Sequence, residues 1–284
     1  MNLIKHIQFQ QLFNLILLVS LGYLNSRLQT NFFTIFLLMA YSGALELILK
    51  KDMYIPYSAF ITALGVVLMV GWLGWYIPYI VITLAILQKL YIKIDGKHIF
   101  NPSNFALILA IFIFYPKALP IIGELGKESY VLYIVIALGA TILIRVNRYL
   151  ISISFIVSYI VLNYLIMGSS NPTWSFEHFE ASLYSISFMV YIFFMLTDPI
   201  TTPNGATAQI VFAFLVALLI VALNYIIGER VWHLFIALFL ISVAFIPFYR
   251  DLTKDDYKRY LFILILSLFI VVSISLKKPL YFSM

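Results

Sequence analysis

The chain has 284 residues, of which 63% are hydrophobic and only 11% charged. Soluble domains are about 25% charged, so a water-soluble fold could not hide the apolar surface of this composition. The chain has no cysteine, which excludes disulfides, thiolate metal sites and cysteine nucleophiles. Its net charge of +6 is dispersed along the chain, which does not indicate a nucleic acid partner.

Apolar segments of membrane-spanning length follow one another along almost the whole sequence. A helix needs about 20 apolar residues to cross a bilayer, and about 17 suffice when flanking side chains snorkel. None of the segments alternates with period two, which excludes membrane strands. The sequence therefore predicts an all-α polytopic protein with about ten or eleven transmembrane helices, forming a single integral membrane domain, residues 1–284, in a lipid bilayer. The predicted spans are 8–25, 31–49, 57–75, 77–93, 103–116, 129–146, 149–168, 181–197, 206–227, 231–249 and 260–276.

Lysine and arginine are divided unevenly between the two sides of an eleven-span arrangement. Of 18 such residues, all but six fall on the side that holds the N-terminus. The positive-inside rule then places the N-terminus in the cytoplasm and the C-terminus outside, in the cytoplasmic (inner) cell membrane. If the short segment 103–116 is a half-helix that does not cross, the spans number ten and the later loops change sides. The six residues on the other side are Arg27, Lys117, Lys127, Arg230, Lys277 and Lys278.

A first polar stretch, residues 95–104, directly precedes an apolar segment. Asn101 suits a helix N-cap, and Pro102 suits the first helical position, where its missing N–H costs nothing. A helix is therefore predicted to start here, and it is a candidate half-helix over about 101–116 because the apolar segment is short.

A second polar stretch, residues 197–209, ends one apolar helix and opens another, with a second candidate half-helix near 198–210. Its carboxylate, Asp198, lies at a depth where charge is costly unless it is paired or lines a wet cavity. In a purely structural role, that carboxylate would accept N–H bonds from Thr201 or Thr202 in an Asx-type turn. In a ligand-binding role, its charge would be required.

Both polar stretches fall on the cytoplasmic side of the eleven-span arrangement and are predicted to frame one cavity. Helix N-termini offer free N–H groups and partial positive charge, which suit a phosphate or a polar head group. Irregular backbone at membrane depth persists only where protein buries it or water reaches it. The alternative is two capped helix starts in which Pro and Asn only end and begin helices. The candidate ligand-binding residues are Asn101, Pro102, Asn104, Asp198, Pro199, Thr201, Thr202, Asn204 and Thr207.

The charged and polar residues outside the two polar stretches have simpler interpretations. Glu46 and Lys50 are four residues apart in the second span and are predicted to pair near the interface. Asn163 and Asn224 lie within apolar spans and are predicted to hydrogen-bond between helices. The mixed-charge run 250–259 is interpreted as a solvated anchor on the inner side.

The two polar stretches resemble those of one membrane-protein family. The strings HIFNPSNF, residues 98–105, and FMLTDPITTP, residues 194–203, with Gln209 and Phe212, resemble the NqrB/RnfD family. These proteins are membrane subunits of the sodium-pumping NADH:quinone reductase and of the Rnf electron-transport complex. The resemblance covers roughly residues 97–250, and its specificity comes from two separate motifs that occur in the family's order. It implies a core of two related five-helix halves, similar to urea transporters, and in complex-bound members a flavin, electron transfer and other membrane subunits.

The sequence departs from the family at the flavin-attachment motif. Flavin-carrying members attach FMN through its phosphate to the threonine of a Ser-Gly-Ala-Thr motif. Here SGAL, residues 42–45, lacks the acceptor hydroxyl, and LGAT, residues 138–141, lies inside an apolar helix. NGAT, residues 204–207, overlaps the Asp-Pro motif, where the family does not carry its attachment site. Any FMN or riboflavin is therefore expected to bind non-covalently.

Two functions of different classes remain open. The first is a membrane subunit that binds a flavin or quinone and takes part in electron transport, with other membrane subunits or a second copy of itself as partners. The alternative is a transporter or channel for a small polar solute, which the missing attachment motif favours. The sequence has no Ser-His-Asp set, no metal-ligand spacing and no Gly-rich phosphate loop, so neither an autonomous hydrolase nor a metal site is predicted.

Overall fold

The computed structural model describes residues 3–24, 30–121, 129–170, 175–183 and 186–277. The apolar segments form helices because lipid cannot satisfy backbone N–H and C=O groups, and a helix satisfies them within one segment. Among the described residues, five helices are long and apolar enough to cross a membrane, and five shorter apolar ones have 10–17 residues. The prediction of an all-α polytopic membrane protein is confirmed.

The first half of the described chain contains α1 to α6. α1 and α2 are long, whereas α3, α4 and α5 are shorter and are joined by brief extended segments. Asn31 caps α2 by accepting the N–H of Thr34 at 2.8 Å, and α2 ends at Lys51, whose φ of 54° is left-handed. The helices are α1 (Leu3–Leu24), α2 (Phe32–Lys50), α3 (Tyr57–Met69), α4 (Ile77–Tyr91), α5 (Pro102–Phe114) and α6 (Ser129–Val146), and the strands between them are β1 (Val70–Trp72), β2 (Lys93–Ile94), β3 (Lys97–His98) and β4 (Ala118–Pro120).

The second half contains α7 to α13 and two π-helical segments. π-helical turns within α-helices occur often at functional sites, and the second one here ends at Met195, two residues before Thr197. The helices are α7 (Tyr149–Leu162), α8 (Gly168–Ser170), α9 (Phe176–Leu183), α10 (Ile186–Val190), α11 (Ala206–Ile227), α12 (Trp232–Ala244) and α13 (Lys254–Ser275), the π segments are Asn163–Met167 and Tyr191–Met195, and a 3₁₀ turn covers Ile246–Phe248.

Two short antiparallel ladders lie at opposite ends of α4 and α5. β2 pairs with β3 between the end of α4 and the start of α5, and β1 pairs with β4 next to the other ends of these two helices. α5 has 13 residues, or about 20 Å of helix against a hydrocarbon core of about 30 Å. The length of α5 fits the predicted half-helix. The chain continues from α5 into β4, however, so helix and strand together run from one ladder to the other. We call the end with β2 and β3 the hairpin end.

The second predicted half-helix, near 198–210, does not form. The chain from Leu196 to Gly205 is an irregular loop, and α11 then runs for 22 residues. The prolines and glycine of this stretch break the preceding helix, whereas the apolar residues that follow have the length of a complete span. The predicted loop 168–180 is described only in part, as α8 and the first part of α9, and Arg27, Lys127 and Lys278 lie outside the described residues.

The helices pack around one hydrophobic cluster that extends from Leu12 in α1 to Ile274 in α13. α7 lies along α11, α1 and α2 pack on α3, and α4 packs on α5. Large apolar side chains such as Phe262 and Phe269 on α13 remain exposed. In water such a surface would promote association, whereas lipid solvates it. The division of the chain into two related five-helix halves remains a prediction.

Candidate functional site

The start of α5 forms the first wall of the site. Asn101 Oδ1 accepts the backbone N–H groups of Ser103 and Asn104, both at 3.1 Å, and Pro102 is the first helical residue. The predicted capped start is confirmed. A methyl group built on Gly65 of α3 would lie 2.0 Å from Ser103 Oγ, so the missing side chain of Gly65 lets α3 approach this helix start closely.

Asp198 lies next to this cap, although it is 97 residues away in the sequence. Asn101 Nδ2 donates to Asp198 Oδ2 at 3.2 Å, and Asp198 Oδ1 accepts the N–H of Ile200 at 3.0 Å. The Asx turn therefore closes through Ile200 and not through Thr201 or Thr202. Those two residues donate their N–H groups to the backbone carbonyl of Asp198, at 3.3 and 3.1 Å.

Arg148, directly before α7, holds the loop after Asp198 from one side. Its side chain is buried, and Nε donates to Thr202 Oγ1 at 3.1 Å. Nη2 donates to the carbonyl of Pro199 at 3.3 Å and to Asn204 Oδ1. One guanidinium thus connects three points of the loop, because its N–H groups point in several fixed directions.

Arg250, two residues after the 3₁₀ turn, joins the same loop to the β2–β3 hairpin. Nη1 donates to the carbonyls of Ile94 and Lys97 at 3.1 and 3.2 Å. Nη2 donates to the carbonyls of His98 and Ile200 at 3.2 and 3.0 Å. Arg250 is buried, so the interpretation of 250–259 as a solvated anchor is wrong for its first residue.

His98, the last residue of β3, is also buried at this junction. Its Nδ1 lies 3.0 Å from the carbonyl oxygen of Phe100. Burial lowers the pKa of His98, although the nearby Asp198 carboxylate opposes this change. The lowered pKa favours a neutral imidazole at the edge of the site.

A cavity of about 330 Å³ lies between α1, α3, the start of α5, the end of α6 and the second π segment. Its wall is mostly apolar and includes Leu68, Phe194 and Met195, and we call it the inner cavity. Polar groups gather at one edge, where Asp198 and His98 lie. The remaining polar lining residues are Gln8, Gln11, Ser58, Thr62, Asn101, Ser103 and Arg145.

Four of the nine candidate site residues line the inner cavity: Asn101, Pro102, Asp198 and Pro199. The other five support the loop or lie elsewhere. Asn104 donates to the carbonyl of Phe235 at 3.2 Å and so attaches α5 to α12. Thr201 and Thr202 are buried in the loop, Asn204 accepts from Arg148, and Thr207 is exposed in the first turn of α11. Ligand binding by any of the nine remains a prediction.

A second cavity, of about 490 Å³, adjoins the first at the hairpin end, and we call it the outer cavity. It contains the predicted Glu46–Lys50 pair, which is confirmed at 2.8 Å. The sequence analysis missed Lys89 of α4, whose Nζ lies 2.6 Å from Glu46 Oε2. No local signal indicates this pair, because the two residues are 43 positions apart.

The remaining polar residues within the spans have mixed outcomes. Asn224 Oδ1 lies 2.6 Å from His233 Nδ1 and so links α11 to α12, as predicted. Asn163 instead donates to the carbonyl of Tyr159, one turn earlier in its own helix, at 2.8 Å. Within the described part of the chain, no three His, Asp or Glu side chains are grouped so that they could hold a metal ion.

Residues 117–256 match the family described as NQR2, RnfD, RnfE. Over these residues the chain belongs to that family. The NqrB/RnfD resemblance is thereby confirmed for the Asp198 motif, and the match also includes Arg148 and Arg250, whereas the Asn101 motif lies before its first residue. Membership supports the interpretation of the chain as a multi-pass membrane subunit of the electron-transport type. A search of curated proteins found no match.

Proposed function

We propose that the protein is a membrane electron-transport subunit that binds a flavin, either FMN or riboflavin, or a quinone in the inner cavity without covalent attachment. The observation that carries this proposal is the cavity of about 330 Å³ with an apolar wall and one polar edge. Ligand sites are typically about 300–1,000 Å³, mostly apolar, with a few polar groups that fix orientation. A planar ring with hydrogen-bonding groups along one edge has the matching chemistry.

The polar edge offers both acceptors and donors to such a ring. The Asp198 carboxylate has further acceptor positions beyond those used by Asn101 and Ile200, since two oxygens provide about four. Gln8, Gln11 and Ser103 carry side-chain N–H or O–H donors along the same lining. A bound flavin or quinone would supply the electron transfer, and these residues would bind and orient it and keep water from its ring.

The placement of the two threonines in the incomplete attachment motifs supports non-covalent binding. Thr207 is exposed in α11 and is not among the residues that line the inner cavity. Thr141 of α6 accepts from Gln10 at 2.9 Å and donates to the carbonyl of Leu138 at 2.7 Å, outside that lining. Neither hydroxyl faces the proposed ring site.

The proposal is tested on protein purified from membranes, by its visible absorption and by chromatography of its solvent extract. We expect a flavin absorption band at about 450 nm or an extractable quinone. Any flavin should be released on acid precipitation, because nothing attaches it covalently. Val190→Phe should fill the inner cavity and lose the ligand, whereas Val211→Phe, on the exposed side of α11, should retain it. Wild-type protein without flavin or quinone would refute the proposal.

Transport of a small polar solute is the second candidate, favoured by the uncharged polar lining formed by Gln8, Gln11, Thr62 and Ser103. Proteoliposomes would decide between the two functions. Solute uptake by a colourless protein, blocked by Val190→Phe and not by Val211→Phe, would establish transport. Uptake that is equal in both variants would count against it.

A further inference from the structure

The outer cavity carries an excess of positive charge. Four lysines line it, and Glu46 is the one carboxylate among the described lining residues. Asp95, on the hairpin turn, is not part of the lining. An excess of lysines in a cavity attracts anions, since low-dielectric walls concentrate the field. The four lysines are Lys50, Lys89, Lys93 and Lys97.

At the floor of the outer cavity, two of these lysines share one carboxylate. The side chain of Glu46 has 0% exposure, and its oxygens lie 2.8 Å from Lys50 Nζ and 2.6 Å from Lys89 Nζ. Tyr54 also donates its hydroxyl to Glu46, at 2.7 Å. The group therefore keeps one uncompensated positive charge, which a counter-anion or water must balance where the group is buried.

Lys89 has a donor left for that anion. An ammonium carries three N–H groups, and Lys89 uses two of them, to Glu46 and to Ser58 Oγ at 3.0 Å. Its side chain is only 7% exposed, so it is held in place by these contacts. Ser58 lines the inner as well as the outer cavity, which places Lys89 at the boundary between the two.

The rim is formed by the β2–β3 hairpin. Lys93 and Lys97 are exposed on its two strands, and their long side chains can reach into the cavity mouth. Gly96, at the turn, has φ of +68°, and a methyl group built on it would contact nothing within 4 Å. The rim therefore has room for a group that enters from the hairpin end.

The two cavities are adjacent and share five lining residues. Gln8, Ser58, His98, Pro199 and Ile200 line both. A molecule that passes between these shared residues would place an uncharged, largely apolar body in the inner cavity and an anionic group in the outer cavity. Lysine acts as a point charge toward phosphate oxygens and does not require one fixed geometry.

We propose that the outer cavity is a phosphate-binding site, with Lys89 and Lys50 at its floor and Lys93 and Lys97 at its rim. If a flavin occupies the inner cavity, this phosphate site selects FMN over riboflavin. That selection rests on the proposed function. The same phosphate chemistry is found in a phospholipid head group, so a soluble phosphate ester and a lipid are the two sources to distinguish.

The test uses the rim lysines, because a change at Lys89 would also leave Glu46 with one partner fewer and risk misfolding. The Lys93→Gln/Lys97→Gln protein is compared with Lys51→Gln/Lys254→Gln, which removes the same charge from two exposed positions outside the outer cavity. Binding of FMN and riboflavin is measured by fluorescence quenching of purified intact protein. Thermal unfolding is measured with pyrophosphate at constant ionic strength and with phosphatidylglycerol or phosphatidylcholine nanodiscs.

We expect FMN to bind more tightly than riboflavin in wild type and in the control variant. In Lys93→Gln/Lys97→Gln, FMN affinity should fall about fivefold to tenfold, as for two partly exposed charge contacts, while riboflavin affinity stays unchanged. Pyrophosphate should raise the unfolding temperature of wild type and the control and raise that of the rim variant less.

The other outcomes separate this proposal from the proposed function. Equal binding of FMN and riboflavin, unaffected by the rim lysines, would overturn the phosphate site and leave flavin binding intact. If neither flavin binds, the flavin form of the proposed function fails, and stabilisation by pyrophosphate that depends on the rim lysines still supports the site. Stabilisation by phosphatidylglycerol alone, lost in the rim variant, would identify a lipid phosphate as its occupant. No rim-dependent effect of any phosphate compound would refute the proposal.

Discussion

Arg250 is the residue on which the geometry of the site depends most, and its replacement by alanine makes the sharpest structural prediction. Its guanidinium donates to four carbonyls, those of Ile94, Lys97, His98 and Ile200, at 3.0–3.2 Å. Each buried carbonyl left without a donor costs about 1–3 kcal/mol. At the lower value, the four carbonyls together give about 4 kcal/mol. Water can replace some of the lost donors because this end of the helices adjoins water, so we expect a loss of about 2–4 kcal/mol in the free energy of unfolding.

The assay is thermal unfolding of the purified protein, where a loss of this size corresponds to a fall of about 5–15 °C for a chain of this length. Arg259→Ala is the matched control, since Arg259 is exposed and lies near the same end of α13. The unfolding temperature of Arg250→Lys should lie between those of Arg250→Ala and Arg259→Ala, because an ammonium cannot reach all four carbonyls that the planar guanidinium spans. Equal unfolding temperatures for Arg250→Ala and Arg259→Ala would refute the reasoning.

Three further predictions concern packing, orientation and the carboxylate. Gly65→Ala should lower the free energy of unfolding by about 1–3 kcal/mol, because the added methyl group would overpack against α5. Gly205→Ala is the control and should unfold at the wild-type temperature, because its methyl group would lie 4.0 Å from its nearest neighbour. The opposite ranking in a thermal melt would contradict the close contact. A cysteine introduced at Glu229 should react with an impermeant label in intact cells, whereas one at Lys51 should react only after the membrane is permeabilised; labelling of both in intact cells would exclude the predicted topology. Asp198→Asn should cost only about 1 kcal/mol in stability yet lose bound ligand at least about tenfold.

The spans and the caps could be predicted because their causes are local. Bilayer thickness sets the length of an apolar segment, and Asn101 caps α5 through residues two and three positions ahead of it. The arginine contacts could not be predicted, since Arg250 reaches a carbonyl 156 residues earlier and Arg148 reaches a hydroxyl 54 residues later. Composition and periodicity contain no information on such pairs. The only sequence signal for Arg250 is its place directly after an apolar helix, which fits a snorkelling side chain equally well.

The same contacts explain why three of the nine candidate residues, Thr201, Thr202 and Asn204, support the site and do not line it. A loop that is buried inside a protein must have its backbone carbonyls hydrogen-bonded. Pro199 and Ile200 have their carbonyls bonded by Arg148 and Arg250, and Thr201 has its carbonyl bonded by the Tyr249 hydroxyl at 2.9 Å. Threonine, proline and asparagine in this motif therefore build a fixed loop. A pattern of residue types cannot separate that role from ligand contact.

Asp198 differs from its neighbours because the loop does not need its charge. Arg148 and Arg250 donate to carbonyl or neutral side-chain oxygens. Among the described residues, the Asp198 carboxylate forms no ion pair. Its hydrogen-bond donors are the Asn101 amide and the Ile200 N–H. Asparagine can keep the Ile200 turn through one oxygen, so Asp198→Asn tests the charge, while Asp198→Ala also removes the turn and should be less stable. A carboxylate without a directly bonded cation at the edge of a membrane cavity is retained at a cost, which the nearby Arg148 guanidinium reduces. A ligand that hydrogen-bonds to it offsets that cost, whereas an Asn variant with wild-type ligand content would show that Asp198 acts only through its turn.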